Sequence, residues 1–179
     1  PSFFGLILLS PYAINLIPKF AKWEPALLSL SFFAINATLS SISTPLTNAL
    51  NAIGKIKITL YLMIFWTVLT WILTPFSILF FGFNGVAGAS AVITTSVVIV
   101  VYITKRYIEF NILKAIKYPF FASILMGTIL YFIRPFLIVN LFTFILTILF
   151  SAIVYIAFIM IMAKKEILSD IKLIRKNLT

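Results

Sequence analysis

The sequence predicts an all-α membrane protein, and three observations carry that prediction. Of 179 residues, 63% are hydrophobic and only 10% charged, and the mean hydropathy is +1.17. The apolar residues gather into runs near the length a bilayer requires. Those runs are continuous, without the apolar/polar alternation of transmembrane strands. A soluble domain of this size cannot hide so much apolar surface, so lipid must be part of the solvent.

A hydrocarbon core of about 30 Å needs roughly 20 helical residues at about 1.5 Å each. Six spans are predicted within residues 1–162, at about 2–17, 25–51, 58–78, 86–104, 119–133 and 140–162. The first is short and contains Pro11. Pro1 opens directly into it with no basic segment, unlike a signal peptide. The chain therefore reads as a piece of a longer protein whose N-terminal part lies outside it.

The second span carries a polar stripe. At about 100° per residue, Ser29, Asn36, Ser40, Ser43, Thr47 and Asn51 fall within roughly an 80° sector. Such a stripe either lines an aqueous cavity able to bind sugar hydroxyls, or packs against a neighbouring helix through small polar residues. The third span repeats the pattern more weakly, with Thr59, Thr67, Thr70, Thr74 and Ser77 beside Trp66. The turn into the fourth is rich in small residues, from Gly82 to Ala91, and predicts a tight packing surface. It lacks the Gly-Lys-Ser/Thr of a phosphate loop.

The fifth span places Ser123, Gly127, Tyr131 and Arg134 on one face. Arg134 either meets a phosphate at the mouth of a cavity or snorkels to head groups. In the sixth, Thr143, Thr147, Ser151 and Tyr155 drift around the helix and are accounted for by helix packing. Residues 163–179 predict an amphipathic tail, with Ile167, Ile171, Ile174 and Leu178 at helical spacing among cations.

The net charge is +10, which raises nucleic acid as a partner. The cations sit between apolar runs as juxtamembrane residues do, and this argues against it. In a six-span chain, Lys55, Lys57, Lys105, Arg106, Lys114, Lys117, Lys164, Lys165, Lys172, Arg175 and Lys176 share one side. Lys19, Lys22 and Arg134 face the other. The richer side is predicted to be cytoplasmic, with both chain ends there and the protein multi-pass in the cell membrane.

Chemistry for a self-contained enzyme is missing. The chain has no Cys and no His, and its acids are Glu24, Glu109, Glu166 and Asp170, all in predicted loops or the tail. No nucleophile–base pair, metal-ligand set or cofactor motif can be assembled, so catalytic and metal sites are predicted to be none.

Two segments carry a family resemblance. Asn48-Ala-Leu-Asn-Ala-Ile-Gly-Lys-Ile-Lys57 is similar to a cytoplasmic turn of the polysaccharide exporters in the multidrug/oligosaccharidyl-lipid/polysaccharide flippase superfamily. Phe81-Gly-Phe-Asn-Gly-Val-Ala-Gly-Ala-Ser-Ala91 resembles the turn into their next helix, and one long apolar helix separates the two. The resemblance covers about residues 1–110; the last two spans match by count. It implies one lobe of a MATE-like transporter, the last six of a usual fourteen spans, completed by an N-terminal lobe outside this chain. The implied substrate is a polyprenyl-diphosphate-linked sugar moved across the bilayer by rocking of the lobes. Two rivals stand beside it: a drug/cation antiporter of the same superfamily, which usually stops at twelve spans, and a non-transporting membrane subunit.

Overall fold

The computed structural model describes residues 1–16 and 18–164, and no strand occurs among them. Helix α1 runs Ser2–Leu16, and a 3-10 helix Pro18–Trp23 leads to α2 (Ala26–Ala52). Then come α3 (Ile56–Phe81), α4 (Phe83–Thr94), α5 (Val97–Lys105), α6 (Ile112–Leu137) and α7 (Leu141–Met162). The chain forms two units, one of α1, α6 and α7, the other of residues 17–110 with α2 to α5.

Five stretches are long and apolar enough to cross a membrane: α2, α3, α4 with α5, α6 and α7. The first predicted span, α1, is a shorter apolar helix of 15 residues, about 22 Å long. The tail predicted over 163–179 lies, beyond Lys164, outside the described residues. The exterior of the helices is where the large apolar side chains are: Trp71, Leu79, Phe80 and Phe136 are each more than three-quarters exposed. Buried positions are mostly small. That inversion of the soluble pattern fits a lipid surround, in which helices associate through close packing and hydrogen bonds.

Two glycines shape the second unit. Helix α2 ends where Gly54 takes φ 77°, letting its N–H reach the Asn51 carbonyl (3.0 Å) and Lys55 N–H reach that of Leu50 (2.9 Å). These bonds close off carbonyls that the helix end leaves open. Gly82, between α3 and α4, has φ 58° and ψ −144°, near a region that only glycine occupies readily. In the first unit, side chains set the helix starts. Asn111 accepts the Lys114 N–H, and Asn140 with Thr143 forms a reciprocal capping box. The Asn111 cap starts α6 seven residues before the predicted span at 119, leaving Pro119 inside the helix.

The small-residue run forms most of α4. Gly85, Ala87, Ala89 and Ala91 are buried, and neighbours two apart lie about 200° apart on a helix. Burial on opposite faces means α4 is sandwiched, with α2 and α3 as its main neighbours. A Cβ placed on Gly85 would overlap the Ser77 carbonyl of α3. At the other end of the unit, Leu50, Leu62 and Val100 join α2, α3 and α5 in one apolar cluster. The matching cluster of the first unit is Leu9, Leu130 and Ile138.

Candidate functional site

The α2 stripe divides in two. Its N-terminal half is a hydrogen-bonded seam against α4. Ser29 Oγ donates to Asn84 Oδ1 at 2.6 Å. Asn36 Nδ2 donates to the Ser90 carbonyl at 3.1 Å and to Thr94 Oγ1 at 2.7 Å. Its Oδ1 accepts from Ser40 Oγ at 3.3 Å. Asn36 thus spends both amide donors across the seam and one acceptor site along its own helix, which suits a partly buried amide.

The C-terminal half is turned to its own backbone. Ser43 Oγ donates to the Ser40 carbonyl at 3.3 Å and Thr47 Oγ1 to that of Thr44 at 2.9 Å. Such bonds let hydroxyls sit in an apolar setting and still leave acceptor capacity free. Asn51 is exposed, and its carbonyl closes the α2 turn. Thr67 and Thr70 of α3 bond back to Met63 and Trp66 in the same way. Beside them an open groove of about 530 Å³ runs along α3, lined by Thr70, Trp71, Thr74, Pro75, Ile78 and Leu79.

Several partners of the stripe were not singled out as polar groups by sequence reasoning. Asn84, Ser90 and Thr94 read there as part of a small, tight surface or not at all. The signal was present as Ser90 and Thr94, four apart and so on one helix face. The run predicted as one span at 86–104 also breaks at Thr95–Ser96, where the bonds become i to i+3. Trp66 Nε1 donates to Ser96 Oγ at 2.8 Å, fixing α3 against that break.

Arg134 lies in the other unit. Its guanidinium sits over the rings of Tyr131 (4.7 Å) and Tyr12 (5.5 Å), and Nη1 donates to the Leu8 carbonyl at 3.2 Å. Pro11 lacks an N–H, which loosens this turn of α1. Arg134 therefore ties a proline-weakened helix to α6. Arg134→Gln is expected to cost about 1–2 kcal/mol through the lost ring contacts and carbonyl bond. Thermal unfolding in detergent checks it, and an unchanged midpoint would show that the clamp contributes nothing.

Among the described residues no group of three or more His, Cys, Asp or Glu could hold a metal. No family model, no curated protein and no solved structure matches this chain.

Proposed function

We propose that this chain is the C-terminal lobe of a membrane flippase that exports polysaccharide or lipid-linked oligosaccharide units. The observation that supports it most is the pair of glycine turns. Gly54 and Gly82 both take positive φ, and they fall inside the two segments that carry the resemblance. In this reading α1 is a sixth span, both ends are cytoplasmic, and an N-terminal lobe completes the transporter. The bilayer and a polyprenyl-linked sugar are its partners.

The division of the α2 stripe refines the reading. Ser29 and Asn36, the latter braced by Ser40 of its own helix, hold α2 to α4 as a rigid pair, while Ser43, Thr47 and Asn51 line a cavity for sugar hydroxyls. No covalent step occurs; transport is a shift between two arrangements of lobes that bind substrate differently. A non-transporting membrane subunit is the second reading, favoured by the seam itself, since half of the stripe is taken up by helix packing.

Cysteine substitution along α2 separates them, and the chain has no native Cys to interfere. A water-soluble thiol label is expected to modify cysteines at positions 43 and 47 and to spare those at lipid-facing 33 and 35. Ser43→Leu should lower sugar export while insertion is kept. Protection at 43 and 47, with normal export by Ser43→Leu, would remove the cavity and leave the subunit reading.

A further inference from the structure

One surface of the second unit gathers charge that its fold does not use. Lys55 stands in the α2–α3 turn and Lys57 in the first turn of α3; Lys105 and Arg106 end α5. The two places meet, because Lys55 Nζ stands 4.9 Å from the centre of the Tyr107 ring. Beneath them, Ile58 and Ile103 pack on the Leu50, Leu62 and Val100 cluster, so the juxtaposition is built into the core. Arg106 lies 4.6 Å over the Tyr102 ring and donates to its hydroxyl.

These cations are not needed to finish the helices. The end of α2 is closed by Gly54 and Lys55 N–H groups, and the Ile103 and Thr104 carbonyls of α5 by those of Arg106, Tyr107 and Ile108. None of the four is in an ion pair among the described residues, and the nearest acid in sequence, Glu109, is exposed. The aromatic contacts hold Lys55 and Arg106 in place, reducing the rotamer freedom that an exposed cation otherwise loses on binding. Tyrosines at a helix end adjoining an apolar span belong at the membrane–water interface, the depth of the phosphodiester groups.

We infer that Lys55, Lys57, Lys105 and Arg106, with Tyr102 and Tyr107, form a docking surface for the head group of an anionic phospholipid. The cations meet the phosphodiester charge, and the guanidinium retains donors suited to phosphate oxygens. The surface stands whether or not the chain is a transporter lobe.

The test uses the whole chain in nanodiscs of phosphatidylcholine with phosphatidylglycerol, followed by native mass spectrometry of retained lipid. The parent is expected to retain phosphatidylglycerol selectively, and Lys55→Gln with Arg106→Gln to lower that retention about tenfold or more. Lys19→Gln with Lys22→Gln, which removes equal charge elsewhere, should leave it unchanged. An equal loss in that control pair means general attraction and overturns the surface, as does a parent that does not discriminate. Displacement of the lipid by soluble glycerol phosphate also overturns it, making the partner a free phosphate. Should the first pair melt early in pure phosphatidylcholine, Lys57→Gln with Lys105→Gln carries the same test without touching the aromatic contacts.

Discussion

Gly85→Ala is expected to destabilise the helix pair α3–α4 by about 1–3 kcal/mol, the usual cost of forcing extra volume into a packed interface. The added Cβ would overlap the Ser77 carbonyl, which is backbone inside a helix and cannot rotate aside. Helix α4 must then move off α3. Its other face carries Asn84, Ser90 and Thr94, so the shift also stretches the bonds to Ser29 and Asn36. Gly88 is the matched control, because nothing lies within 4 Å of a Cβ built there. Gly88→Ala should be neutral or slightly stabilising, since alanine is the better helix former by up to about 1 kcal/mol. Unfolding midpoints of the two variants in one detergent decide the matter. Equal midpoints would mean that the close approach at Gly85 is not part of the folded packing.

The second large effect is predicted at Asn36, where the sign of the chemistry can be read. Asn36→Leu removes two donors across the seam and one acceptor along α2, at about 1–2 kcal/mol by the measured range for interhelical bonds in membranes. Asn36→Asp keeps the shape but replaces the donor with a second acceptor facing the Ser90 carbonyl. It also places a carboxylate in a span, so its cost should exceed that of leucine, at about 3 kcal/mol or more near neutral pH. Protonation restores one donor, and the gap between the two variants should narrow as pH falls. Equal stability of the Leu and Asp variants at neutral pH would show that donation by Asn36 does not hold the seam.

How much of this was legible beforehand differs from element to element. The positions of α2, α3 and α7 follow from hydropathy, because in lipid each long apolar run must satisfy its backbone internally and so becomes a helix. The tight surface from Gly85 to Ala91 was legible as well, since glycine and alanine in series leave no other reason for being in a span. Helix α6 begins before the apolar run at Pro119, because the Asn111 side chain caps it at Ile112, a local bond that hydropathy does not register. The interruption at Thr95–Ser96 was invisible, because the apolar run continues through it and only Trp66 marks its place.

The resemblance to flippases drew on the segments around Gly54 and Gly82, both legible as glycine turns. Which face of the polar stripe meets protein was not legible. By itself, the sequence determined the helical class, the apolar exterior, the glycine turns and the absence of thiol and imidazole chemistry. Each of these is local, set by bonds and periodicity within a few residues. Only the tertiary structure decided that Ser29 and Asn36 meet α4, and that Arg134 meets Leu8. Those partners are 54 to 126 positions apart, and helical period says which residues share a face but not which helix that face will meet.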